Sequence, residues 1–219
     1  MIKLAVFDLD GTLCDTIEDL AASVNFALNS LGYPTHSVEE YKYMVGNGMK
    51  NLVFRALPKD KRVDELVEET KDLMLDYYKD HFADKTNAYD GINELLSKLK
   101  ENGIHIAVCT NKAHDMAVKV IEKLFPNIFE TVIGKSDDRP LKPDPYSVNE
   151  IMSRYGVNAN ETVFIGDSGV DIKTAINSRT TSIGVLWGFR DEAELKENGA
   201  EHIAHTPNDI YDIIKNLEV

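Results

Sequence analysis

Two carboxylates separated by one residue close the first apolar run of the chain, in Asp8-Leu9-Asp10-Gly11-Thr12. A strand that delivers Asp8 at its carboxyl end turns Leu9 away and brings Asp10 back to the same side. Gly11 permits a tight loop there, and Thr12 adds a hydroxyl. Carboxylates this close repel each other unless a cation or a shared proton relieves them. Magnesium takes hard oxygen donors, commonly one or two carboxylates plus phosphate and water. A bare Asp-x-Asp reads more readily as a solvated turn. The apolar strand before it and the Gly-Thr after it point instead to a metal-assisted site.

Three later segments repeat the placement. Val163-Phe164-Ile165-Gly166-Asp167 ends a second apolar run on an aspartate, and Asp171 follows four residues on. Asp171 falls in the first turn of an expected helix, where it could equally serve the helix dipole. Val108-Cys109-Thr110-Asn111 closes a third run on a hydroxyl able to bond a phosphate oxygen, although Thr and Asn are also ordinary turn residues. Lys142 lies between Pro140 and Pro143, in a loop those prolines restrict, just before an expected helix.

The elements that position these residues follow from periodicity. Short, nearly continuous apolar stretches at 4–9, 104–109, 131–134, 162–166 and 182–185 suit strands buried on both faces, and 203–204 suits a short edge strand. Helical spacing marks 92–99, 113–124, 145–155, 170–177, 191–198 and 207–217. The alternation predicts an α/β fold with a doubly wound, mostly parallel sheet. Residues 15–82 break it: helices are expected at 16–31, 48–56 and 63–81, with no strand among them. The expected organisation is an α/β core of residues 1–14 and 83–219 with an all-α cap, 15–82, inserted after the first strand. Ligands of open α/β sheets bind at strand carboxyl ends, so an insertion leaving from there is placed as a lid would be.

Composition narrows the function. The 219 residues carry a net charge of -13, which argues against a nucleic-acid surface but leaves room for a phosphorylated small molecule. The chain lacks the run of about 18 apolar residues that a membrane span needs. The short apolar N-terminus reads as a buried strand rather than a leader, so a cytoplasmic protein is expected. Cys14 and Cys109 fit a reducing compartment as two free thiols.

The four segments, in this order, resemble the motifs of the haloacid dehalogenase superfamily over essentially the whole chain. The resemblance implies a magnesium-dependent phosphatase. Asp8 would be the covalent nucleophile and Asp10 the acid-base. Thr110 and Lys142 would hold the transferring phosphoryl group, and Thr12 and Asn111 would bind substrate. Mg2+ would be held by Asp8, the Asp10 main chain, Asp167 and Asp171. A dehalogenase would not need Asp10, and a sugar-phosphate mutase would carry His where this chain has Leu20.

The cap should choose the substrate. Gly46-Asn47-Gly48 joins two expected cap helices, and on local sequence it is as readily a plain turn as a ligand loop. Phosphoglycolate phosphatases of the superfamily carry Gly-x-Gly there, so the resemblance favours 2-phosphoglycolate, with pyrophosphate, nucleotides and sugar phosphates as alternatives. A mutase or a non-catalytic binding protein is the remoter reading. Lys50 and Arg55 are candidate contacts for a substrate carboxylate, or solvated helix charges, and Arg190 is a candidate substrate contact in a loop that could equally pack on the core. A monomer or a homodimer is expected, acting on a small phosphorylated metabolite.

Overall fold

A computed structural model describes residues 1–217. The chain divides into two compact units, Met1–Cys14 with Ala88–Val219, and Asp15–Asn87. In chain order the strands are β1 (Leu4–Phe7), β2 (Cys14–Asp15), β3 (Asn87–Ala88), β4 (His105–Ala113), β5 (Thr131–Lys135), β6 (Thr162–Gly166), β7 (Thr181–Val185) and β8 (His202–Ala204). The helices are α1 (Ile17–Ser30), α2 (Val38–Lys42), α3 (Met49–Ala56), α4 (Asp64–His81), α5 (Ile92–Glu101), α6 (His114–Leu124), α7 (Tyr146–Tyr155), α8 (Gly169–Ser178), α9 (Glu192–Glu197) and α10 (Pro207–Asn216).

The larger unit is an α/β layer structure. Six strands form one sheet in the order β5-β4-β1-β6-β7-β8, and each neighbouring pair is parallel. All four residues of β1, Leu-Ala-Val-Phe, are buried, and the strand lies between two partners. Leu4, Val6, Ala107, Cys109, Ile133 and Phe164 form one core with Val148, Ile151 and Met152 of α7 and Ala175 of α8. Burying each large side chain of this kind contributes about 1.5–3 kcal/mol. Strand alternation sends Ala5, Phe7, Ile106 and Val108 to the opposite face. No helix among the described residues is long and apolar enough to cross a membrane. Both cysteines are free and buried.

The smaller unit is helical, with α1 and α4 as its main pair. Leu20, Val24, Val53, Met74 and Tyr78 lie in its buried interior. α2 was not expected from periodicity: five residues are too few to show it, and a capping box starts it, with Ser37 and Glu40 satisfying each other's backbone N–H groups. The larger compact unit resumes at Ala88. Buried Asp19 accepts the N–H groups of Lys85 and Thr86 and the Thr86 hydroxyl, which keeps this stretch in the helical unit.

Candidate active site

The site forms where β1, β4 and β6 lie side by side. Asp8 follows β1, and its N–H donates to Ile165 O at 2.9 Å, which ties it to the neighbouring strand. The chain then folds back at once. The N–H groups of Leu13 and Cys14 both donate to Leu9 O, at 3.0 and 3.1 Å. Gly11 takes φ +87°, open only to glycine at low cost, and a Cβ there would stand 2.4 Å from Asp167 Oδ2. Gly188, after β7, closes the other side: a Cβ on it would be 2.3 Å from Asp167 Cβ and from Gly11 O. Asp167 is therefore gripped between two side-chain-free backbones.

Each carboxylate has an assigned setting. Asp167 accepts the Phe189 N–H at 2.8 Å and the Thr12 hydroxyl at 3.2 Å. Asp171 sits at the third position of α8, accepting the Ser168 hydroxyl at 2.6 Å and its N–H at 3.1 Å. Its other oxygen lies 2.6 Å from Lys142 Nζ. Asp171 thus caps α8 with one oxygen and faces Lys142 with the other. Lys142 Nζ also stands 2.8 Å from Asp8 Oδ1. That approach makes an ion pair without hydrogen-bond alignment, and the buried Asp8 Oδ1 accepts no hydrogen bond among the described residues.

The electrostatics follow from this crowding. Burial pushes the Asp8 carboxyl above the usual range; Lys142 opposes the shift, while Asp171 and Asp10 add repulsion. Burial likewise raises Asp167, reinforced by Asp171 and Asp8 and opposed by the Phe189 N–H. Burial alone would discharge Lys142, but Asp171 and Asp8 outweigh it and hold the ammonium above the ordinary lysine range. One cation cannot neutralise three buried carboxylates. Asp8, Asp167 and Asp171 can each offer an oxygen such that the three lie within 4.8 Å of one another. The donors are all hard oxygens, one is an orphaned buried atom, and the excess charge is negative. These residues fit a hard divalent cation.

Two expected substrate contacts also have partners within the protein. The buried Thr12 hydroxyl donates to Asp167. The Asn111 amide accepts the Lys142 N–H at 2.8 Å and donates to the Lys142 C=O at 3.1 Å. Thr110 does not close its strand, because β4 continues to Ala113 with a shifted register after Cys109. Gly46, Asn47 and Gly48 belong to the helical unit, between α2 and α3, with φ +114° and +82° at the two glycines. In that unit Lys50 pairs with Glu68 at 3.0 Å, and Arg55 donates to Met44 O at 2.8 Å. Arg190 pairs with Glu194 at 3.2 Å.

Sequence reading missed Lys112. Its side chain is fully buried and its Nζ lies 2.9 Å from Asp10 Oδ1. The available signal was a charged residue two positions after Thr110, hence on the same side of an extended strand. The indole N–H of Trp187 donates to Thr12 O at 3.0 Å and anchors the Gly188 loop.

Comparison with known proteins agrees with this geometry. The haloacid dehalogenase-like hydrolase profile matches residues 5–185. A protein of Vibrio parahaemolyticus named phosphoglycolate phosphatase is 30% identical over 97% of this chain and 96% of its own length. One of the same name from Aliivibrio fischeri is 31% identical over 90% of this chain and 89% of its own. A crystal structure from Lactobacillus delbrueckii subsp. bulgaricus, provisionally named a phosphoglycolate phosphatase, superposes with a TM-score of 0.92 at 31% identity. It covers 97% of this chain and 98% of that one. A profile spanning most of the chain, on a sheet that gathers all four motifs at one edge, places the protein in the haloacid dehalogenase-like hydrolase family.

Proposed function

We propose that the protein is a magnesium-dependent phosphatase that hydrolyses a small phosphate monoester, 2-phosphoglycolate first among them, through an aspartyl-phosphate on Asp8. The observation that carries this reading is the buried convergence of Asp8, Asp167 and Asp171, the first and last paired with Lys142, with Asp8 Oδ1 left without a hydrogen bond. Asp8, Asp167 and the Asp10 main-chain carbonyl would hold Mg2+, with Asp171 behind them. When bound, the ion supplies positive charge to the phosphoryl oxygens and keeps Asp8 ionised.

The Asp8 carboxylate attacks phosphorus, and the bond from phosphorus to the ester oxygen breaks. Asp10 gives its proton to the departing alcohol. It then takes a proton from water, whose oxygen attacks phosphorus and releases Asp8 and inorganic phosphate. Lys142 and Thr110 hold the phosphoryl group. Most of the rate gain is positioning and charge stabilisation. The substrate follows from the names of the relatives and from the Gly46-Asn47-Gly48 resemblance.

The test is p-nitrophenyl phosphate hydrolysis with and without Mg2+, followed by a panel of phosphorylated metabolites. Metal-dependent release, absent in Asp8→Asn, is expected. A folded sample with no metal-dependent release, or a phosphoenzyme that survives Asp8→Asn, would overturn the reading.

A further inference from the structure

We infer that Lys112 is a positioning residue for Asp10, holding its carboxyl at the angle from which it exchanges a proton with the leaving oxygen; this rests on the phosphatase reading above. The two residues are 102 positions apart, on the loop after β1 and near the end of β4, and meet at 2.9 Å. The Lys112 side chain is fully enclosed, whereas Asp10 keeps 11% of its side-chain exposure. The pair is thus asymmetric: the ammonium is sealed inside and the carboxylate residue keeps a small exposed fraction.

A lysine buried this completely is costly unless it is paired. Its backbone is fixed as well, since the Lys112 N–H donates to Thr110 Oγ1 at 3.2 Å within the register shift of β4. That shift is where a regular ladder is given up, and the Lys112 side chain within it ends on Asp10. Thr110, Asn111 and Lys112 are each buried at 5%, 6% and 2% exposure. Two of these polar residues have partners at the site edge: Asn111 in the Lys142 backbone and Lys112 in Asp10. An aspartyl side chain has two free torsions, and a bond to one oxygen from a rigid donor removes most of that freedom.

The test separates positioning from simple stabilisation by using two leaving groups. An alkyl phosphate such as 2-phosphoglycolate needs its leaving oxygen protonated, whereas p-nitrophenyl phosphate does not. In Lys112→Met, kcat/KM for the alkyl ester should fall by about tenfold or more beyond any fall for the aryl ester, within the range that a general acid supplies. Adding Lys112→Met to Asp10→Asn should change kcat/KM for the alkyl ester little, because both act through one carboxyl. Lys112→Gln, which keeps a neutral N–H donor, should recover part of the alkyl-to-aryl ratio and carries the comparison if Lys112→Met does not fold. Equal losses on both esters, or multiplicative losses in the double variant, would overturn the inference while metal-dependent wild-type turnover left the phosphatase reading standing. Absence of wild-type turnover would remove both.

Discussion

The Asn111 side chain closes a ring of two hydrogen bonds with the Lys142 backbone, accepting its N–H at 2.8 Å and donating to its carbonyl at 3.1 Å. A loop residue is thereby fixed to β4 as firmly as a strand partner would fix it. Asn111→Ala should cost about 1–3 kcal/mol of stability, because the Lys142 backbone groups lose their partner while buried. It should also lower kcat, since Lys142 would no longer be held between Asp8 and Asp171. Urea unfolding and steady-state kinetics check both. Unchanged kcat in the folded variant would show that the ring does not matter to the site.

Gly188→Ala should weaken metal binding before it unfolds the protein. The added methyl would meet Asp167 Cβ and Gly11 O at 2.3 Å, and both are backbone-locked. Overpacking of this kind costs about 1–3 kcal/mol. The Mg2+ concentration giving half-maximal thermal stabilisation should rise, and a titration followed by differential scanning fluorimetry reads it without turnover. An unaltered midpoint would mean that Asp167 tolerates displacement.

Stability should respond to pH and metal together. Asp167 and Asp8 have carboxyl groups raised by burial, so in EDTA the folded chain retains protons that the unfolded chain has released. Unfolding then releases protons, and this contribution to stability falls as pH rises from the carboxylate range toward neutrality. Asp167→Asn removes that cost. It should raise the melting temperature in EDTA at neutral pH, by an amount that vanishes in acid, and shrink the Mg2+-induced shift seen in the wild type. A wild-type melting temperature indifferent to Mg2+ at neutral pH would contradict the assignment.

Replacing Gly46 and Gly48 with Ala forces side chains onto backbone at φ +114° and +82°. If this loop selects the ester, hydrolysis of 2-phosphoglycolate should fall roughly tenfold more than that of p-nitrophenyl phosphate. Parallel losses on the two would make the loop structural.

The apolar strands were legible because burial on both faces leaves an unbroken run: β6 was read at its observed bounds, and β1 differed only at its end. The extension of β4 past Cys109 was hidden because Thr110, Asn111 and Lys112 are polar, and polarity normally signals a turn. Here they are buried because the site consumes them. The aspartates were readable from their place at strand ends, but the destination of a hydroxyl or amide was not. Only three-dimensional proximity shows that Thr12 bonds Asp167 and that Asn111 bonds the Lys142 backbone. The Lys112–Asp10 pair spans 102 residues, a distance over which local pattern carries no information.

The strand order also governs how the molecule is made. Leu4 of β1 pairs with His105 on one side and Thr162 on the other. The first strand to leave the ribosome is the centre of the sheet and must wait for both neighbours to be synthesised. At about 5–20 residues per second that delay lasts many seconds, during which four consecutive apolar residues have no sheet partner. Asp8 stays unplaced throughout, so a nascent chain arrested before β6 can carry the complete first motif and still have no site.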